Sequence, residues 1–207
     1  IVGLAKKTGG TVTLKGAPVD FTEVSKSVAA GLAYMTKDRK GRGLLLNAGL
    51  QPNLTLLTLK RHLRWGFLDG ASEQRALERA VRRFDIRARD PSVQVGKLSG
   101  GNQQKLMLGK TMESEPDIVI MDEPTRGIDV GTKQQIYHII AALAAEGKAI
   151  IVISSEMQEV IGLSHRVVVM RQGRMAGVLE GSEITEAEIM RYAAGIKQGG
   201  EDERLSA

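Results

Sequence analysis

The sequence contains no cysteine and only three histidines. The first absence excludes a disulfide framework and thiolate metal sites, and fits a reducing compartment. His62, His138 and His165 show no metal-ligand spacing, so each is expected to be a surface or core residue. Aromatic residues are scarce, with three Phe, three Tyr and one Trp in 207 residues. Apolar runs are short. Ala149-Ile150-Ile151-Val152-Ile153 is among the longest, far below the ~20 residues of a membrane-spanning helix, so any membrane role is expected to be peripheral. No repeat, low-complexity segment or signal-peptide pattern is seen in the sequence, which opens on Ile1. At 42% hydrophobic and 26% charged, the composition is that of neither a disordered tail nor a membrane protein.

The charge that is present is unevenly placed. Residues 1–90 carry 17 basic and 8 acidic side chains, whereas residues 91–207 carry 12 and 16. A basic half of this kind suits nucleic acid, anionic lipid or acidic ligands, and equally suits solvated helix surfaces coated by long Arg and Lys chains.

Alternation and turn residues place a strand at Thr11 to Leu14 and a hairpin turn at Lys15-Gly16-Ala17-Pro18. A short helix over Val24 to Ala30 and a strand Leu32 to Met35 follow. Lys37 to Gly43 is expected as a polar loop. Leu77, Ala80, Val81 and Phe84 recur at helical spacing, with Glu73, Arg75, Arg79, Arg82 and Arg83 largely on other faces. An earlier helix carrying Leu56, Leu59 and Leu63 is expected to pack beside them, and Trp65 to fill this helical region or to face a partner. From Asp117 the pattern becomes β-α-β. Two apolar strands, Asp117 to Met121 and Lys148 to Ile153, flank a helix with Ile136, Ile139, Ile140 and Leu143 inward and Gly147 at its end. A strand-turn-strand over Arg166 to Leu179 precedes a last helix whose Thr185-Glu186-Ala187-Glu188 has capping-box spacing.

Two strings carry chemistry. Ser99-Gly100-Gly101-Asn102 opens a helix that continues through Leu106, Leu108 and Met112. Glycines, a hydroxyl and free helix N–H groups together make an anion receptor suited to phosphate, though the same residues also serve as an ordinary cap. Asp122-Glu123 closes the apolar strand, where open α/β sheets bind ligands. Asp122 there suits Mg²⁺ and Glu123 suits polarisation of an attacking water, while the bland alternative is a solvated acidic turn. Met107, Met112 and Met121 are expected to pack in the core.

Taken together, Leu98 to Gln104, Ile118 to Thr125 and Gly127-Ile128-Asp129 resemble the signature, Walker B and D-loop series of ABC ATPases. Three strings narrow the likeness: Gly101 to Lys105, Asp122 to Val130, and Ser154-Ser155-Glu156-Met157. They resemble the second nucleotide-binding half of the duplicated ATP-binding subunits of bacterial sugar importers of the ribose, galactose and autoinducer type. The likeness runs from about Gly10 to Gly195. It implies an α/β fold: a truncated ABC-type P-loop NTPase domain with a β-rich edge and an inserted α-helical subdomain at approximately 53–112, ending in a flexible tail at 196–207.

The resemblance further implies that ATP and Mg²⁺ are the cofactors. Ser99, Gly100, Gly101 and Asn102 would meet the γ-phosphate of a nucleotide held by a second nucleotide-binding domain, and Asp129 would communicate across that interface. Asp122 would hold the metal and Glu123 would act as general base. Lys37 stands at the Q-loop position and Ser155 at the switch-histidine position. Lys has no acceptor for a metal, and Ser lacks the imidazole's basicity. Arg39, Lys40 and Arg42 become candidates to order the Q-loop or to touch a permease.

No Gly-x-x-x-x-Gly-Lys-Ser/Thr string occurs. The resemblance places it just upstream of Ile1, so very weak nucleotide binding is expected of the chain alone. The expected partners are that second domain, a membrane permease and, indirectly, a periplasmic sugar-binding protein, at the cytoplasmic face of the membrane and without nucleic acid. Two alternatives stand beside this reading: a catalytically degenerate regulatory half that completes the partner's ATP site, and a DNA-linked ABC ATPase.

Overall fold

Three parallel strands form the centre of the first of two compact units, Ile1–Ile153 and Ser154–Ala207. The computed structural model describes residues 1–88 and 90–197. In chain order the first unit holds β1 (Val12–Leu14), β2 (Ala17–Val19), α1 (Val24–Ala29), β3 (Leu32–Met35), α2 (Leu50–Thr55), β4 (Leu63–Arg64), β5 (Phe67–Leu68), α3 (Gly70–Phe84), α4 (Gly100–Met112), β6 (Ile118–Asp122), α5 (Val130–Ala145) and β7 (Ala149–Ile153). The sheet order is β3-β6-β7, with Tyr34 opposite Ile120 and Asp122 opposite Ile153. Parallel neighbours require long crossovers, which α2 to α4 and α5 supply.

β6 is central and its Val119, Ile120 and Met121 are buried, as an unbroken apolar strand should be. β7 departs from the expected two-sided cover. It is an edge strand among the described residues, and Ile151 and Ile153 remain about half exposed at 47% and 50%.

The helical region differs from expectation at one place. α2 ends at Thr55, followed by a 3-10 turn at Leu59–His62 and the hairpin β4-β5, so Leu56 and Leu63 are exposed. The reason is polar. Asn53 fills the interior by bonding the Leu45 N–H and the carbonyls of Leu45 and Gly49. Thr55 donates to Glu73 Oε1 at 2.6 Å, and Gln51 donates to the same carboxylate. α2 therefore turns Asn53, Leu54 and Thr55 inward, and Glu73, expected away from the core face, is buried as the acceptor of those bonds. In α3, Leu77, Ala80 and Phe84 are buried as their spacing requires. Met107, Met112 and Met121 all lie in the core.

The polar segment after β3 is a π-helical turn over Arg39–Gly43 instead of an open loop. Asp38 caps it, accepting from the Gly41 N–H at 2.9 Å. Gly43 lies against Met107 of α4 so closely that no Cβ fits, and Lys110 donates to its carbonyl at 2.8 Å.

The second unit contains α6 (Met157–Leu163), β8 (Arg166–Arg171), β9 (Arg174–Glu180) and α7 (Glu186–Ala194). Val167, Val169, Leu179, Ile189 and Tyr192 form its core. Thr185 accepts from the Glu188 N–H at 3.3 Å. The reciprocal half of the capping box is absent, because the Glu188 carboxylate pairs with Arg191 and Lys197. From residue 198 onward, the expected tail lies outside the described residues.

Candidate functional site

Parallel pairing carries β6 to its end at Asp122, and the chain then turns sharply. The Glu123 N–H donates to the Ile153 carbonyl at 2.8 Å, holding the turn to β7. Glu123 itself adopts φ +51°, the left-handed region that a non-glycine residue enters only when its surroundings fix it. This strained acidic residue is the backbone outlier at the strand end where open α/β sheets place their ligands. Asp122 accepts from the Tyr34 hydroxyl at 2.8 Å across the β3-β6 pair. Burial, and then that bond to Asp122, hold the Tyr34 pKa above its ordinary value, so Tyr34 stays a protonated donor.

α4 begins beside this strand end. Its Ser99 cap accepts from the Asn102 N–H at 3.4 Å and from Asn102 Nδ2 at 3.0 Å. Two incoming bonds occupy the hydroxyl's lone pairs and leave its proton to donate outward. Asn102 is held in turn, since its Oδ1 accepts from the Arg87 N–H at 2.7 Å. Ser99 is exposed, Gly100 is half-buried and Gly101 is buried. A Cβ at Gly101 would come within 2.5 Å of Thr132, so this glycine serves close packing of α4 on the start of α5. Asp129 caps α5, accepting from the Thr132 N–H at 2.9 Å and from its hydroxyl at 2.8 Å. Those bonds, the backbone one first, hold the Asp129 carboxyl below the usual carboxylate range.

A side-chain relay that the motif strings do not announce joins these pieces. Gln104 Nε2 donates to the Pro124 carbonyl at 2.6 Å, and Gln104 Oε1 accepts from Arg39 at 3.2 Å. The Arg39 guanidinium also lies beside Gly100, where a Cβ would be 3.3 Å from its Nη2. The π-helical turn, the N-terminus of α4 and the loop after Glu123 thus form one bonded cluster. Burial lowers the Arg39 pKa, and its Nε has no hydrogen-bond partner. Two further residues have structural roles that spacing leaves invisible. Lys105 is buried and donates to Asp85 at 3.0 Å, and Lys110 is buried on the Gly43 carbonyl.

Ser99, Gly100, Gly101, Asn102, Asp122, Glu123 and Asp129 are therefore placed on adjoining elements of the first unit. Lys37 is exposed two residues before Arg39 and is not part of the relay. Ser155 belongs to the second unit, under a turn closed by the Glu156 N–H on Ser154 Oγ at 3.0 Å. No group of three or more His, Cys, Asp or Glu among the described residues could enclose a metal by itself. Asp122 fits the way Mg²⁺ is held beside phosphates, by one or two carboxylates with phosphate and water supplying the other positions. Trp65, placed inside the helical region or against a partner by expectation, is 89% exposed at the tip of the β4-β5 hairpin.

A model of the ABC transporter family matches residues 1–126. The ribose import ATP-binding protein RbsA of Yersinia pestis is 42% identical over 198 residues, covering 96% of this chain and 39% of that protein. The xylose import ATP-binding protein XylG of Geobacillus kaustophilus is 43% identical over 191 residues, covering 92% of this chain and 38% of that one. The chain thus spans about two fifths of the length of these relatives. Among solved structures, a nucleotide-free ATP-binding cassette from an ABC transporter superposes with TM-score 0.80 at 18% identity, covering 97% of this chain and 81% of that one. A dimeric post-hydrolysis cassette bound to ADP and Pi gives TM-score 0.73 at 19% identity, covering 87% and 77%. These structural likenesses show that the chain has the α/β fold of those cassettes. With the family model reaching through Asp122-Glu123 and well over a third of each import protein aligned, the chain belongs to the ABC transporter family.

Proposed function

We propose that this chain is the nucleotide-binding and energy-coupling portion of the ATP-binding subunit of a bacterial sugar importer. The observation that carries the proposal is the strained Asp122-Glu123 strand end bonded through Gln104 to the Ser99-capped helix, in a chain 42% identical to a ribose import ATP-binding protein. In this reading Ser99, with its proton free to donate, and the N–H groups that open α4 meet the terminal phosphate of a nucleotide held by a second nucleotide-binding domain. Gly100 and Gly101 let α4 approach Arg39 and Thr132 closely enough to fix that geometry. Asp129 caps α5 through Thr132, the residue against which Gly101 packs, and would communicate across the interface with the second domain. Asp122 is the carboxylate for Mg²⁺, which when bound neutralises charge developing on the phosphates. Glu123 accepts a proton from the attacking water, and its fixed turn orients the carboxylate.

The subunit would act at the cytoplasmic face of the membrane, with a permease as its direct partner and a periplasmic sugar-binding protein as an indirect one. Arg39 to Arg42 form the segment that would carry permease movement to Gly100 and Pro124 through Gln104. Glu123→Gln in the full-length subunit is expected to lower ATP turnover about 100-fold or more. Ser99→Arg is expected to abolish the turnover of the partnered site.

Two observations favour a second reading, a regulatory half that completes the partner's site without hydrolysing. Lys37 is exposed outside the relay, and Ser155 offers no imidazole. Unchanged turnover in Glu123→Gln together with loss in Ser99→Arg would establish that reading and remove hydrolysis from this half.

A further inference from the structure

Three two-residue hairpin turns of the described chain have both central residues at positive φ, the mark of a type I′ turn: Lys15-Gly16, Trp65-Gly66 and Gln172-Gly173. Asn, Asp and Gly suit the first of these positions, and a bulky residue there is strained. The turns at Lys15 and Gln172 carry polar side chains. The turn between β4 and β5 instead carries the one tryptophan of the sequence, at φ +54° and 89% exposed. Its neighbours are apolar and exposed as well. Phe67 is 79% exposed, Leu68 55% and Leu63 47%. Two separate costs, strain and exposed apolar surface, therefore coincide at one tip.

The base of this hairpin is firmly fixed. The Asp69 N–H donates to the His62 carbonyl at 2.8 Å, and buried His62 bonds Ser72 Oγ at 3.0 Å. Asp69 caps α3 through the Ala71 and Ser72 N–H groups. The tip is thus preorganised and held out from the body. Lys60 and Arg64 flank it, exposed and without an ion pair among the described residues, whereas Arg61 is engaged with Glu115 and the Glu113 carbonyl.

We propose that the β4-β5 hairpin is a membrane-surface contact, in which Trp65 and Phe67 enter the headgroup region of an anionic bilayer while Lys60 and Arg64 meet lipid phosphates. Aromatic residues beside Lys and Arg are the chemistry of that interface. The charge at the tip favours a bilayer: Lys60 and Arg64 are exposed and have no ion pair among the described residues, so they complement anionic headgroups. A bilayer requires depth of insertion and positive charge, and the tip has both. The inference is independent of the nucleotide chemistry and concerns a different surface.

The test uses the full-length subunit with phosphatidylcholine vesicles, with or without about 30% phosphatidylglycerol. Flotation and the emission difference between wild type and Trp65→Asn are measured, which isolates the Trp65 signal. Asn suits the turn, so Trp65→Asn is expected to keep or raise thermal stability and to leave ATP turnover without vesicles unchanged, while anionic-vesicle partition falls about tenfold. Trp65 emission is expected to shift to the blue with anionic vesicles, and Lys60→Glu with Arg64→Glu to remove the preference for anionic over neutral lipid. Partition equal to wild type in Trp65→Asn, or emission unmoved by vesicles, overturns the proposal. So does a shift that requires a co-reconstituted permease and is the same in neutral lipid, which would make the occupant a protein.

Discussion

Helices α3 and α4 pack against one another yet are built on opposite plans. α3 is one-sided: Leu77, Ala80 and Phe84 are buried while Arg75, Glu78, Arg79, Arg82 and Arg83 face water. α4 is buried nearly all round from Gly101 to Met112, although Gln103, Gln104, Lys105 and Lys110 are among its residues. A helix can bury such groups only where each finds a partner. Gln104 bonds Pro124 and Arg39, Lys105 bonds Asp85, and Lys110 bonds Gly43. α3 is thus held by apolar packing with one polar tie, from Glu73 to Gln51 and Thr55 of α2, whereas α4 is held by apolar packing and by polar bonds reaching three separate segments. That difference makes α4 the element able to sense what happens at several places, and the candidate site gathers at its N-terminus.

The comparison can be broken at graded strength. Phe84→Ala removes the largest side chain from the α3-α4 contact, where the ring lies against Gly109, and is expected to cost about 3–5 kcal/mol in denaturant unfolding. Gln104→Ala strands the Pro124 carbonyl and Arg39 and is expected to cost about 1–3 kcal/mol. Unlike Phe84→Ala, it should also reduce ATP turnover at temperatures where the full-length subunit remains folded. Asp69→Ala, which removes only the α3 cap, is expected to cost about 1 kcal/mol with turnover unchanged. Should the Gln104 variant prove milder than the Asp69 variant, the polar bonds of α4 would not be what fixes it.

The smallest effect is a pH dependence. The Lys105 bond, followed by Arg87, holds the exposed Asp85 carboxyl below its ordinary value of 3.8. A depressed native pKa means that the unfolded chain binds the proton more readily, so this contribution is present above about pH 4 and is lost as pH falls through the native value. Asp85→Asn, which suits the left-handed backbone there, is expected to flatten that part of the acid unfolding curve.

Strong local signals are legible in the sequence. Leu77, Ala80 and Phe84 recur at helical period, Val119 to Met121 form an unbroken apolar strand, and Gln172-Gly173 marks a hairpin. The site's residues were legible as strings, with Ser99 at a cap and Asp122 at a strand end. The relay was not. Arg39 and Gln104 stand 65 positions apart, and no periodicity links a residue in a π-helical turn to one inside a helix. Leu56 and Leu63 misled because leucine at helical spacing normally points inward. Here Glu73, 18 positions from Thr55, draws Gln51 and Thr55 toward it, and Asn53 turns inward to bond Leu45 and Gly49. Of the two expectations for Trp65, filling the helical region fails for a related reason, since only the turn's backbone puts the side chain in water.

The sequence by itself determined the helices and strands other than the β4-β5 hairpin and the π-helical turn, because their signals lie within a few turns of chain, and it carried the motif strings that mark the family. Tertiary structure alone decided which polar side chains are satisfied and which apolar ones are left outside. Those outcomes depend on partners brought together by the β3-β6-β7 pairing and by the packing of α2, α3 and α4, at sequence separations where local preference carries no information.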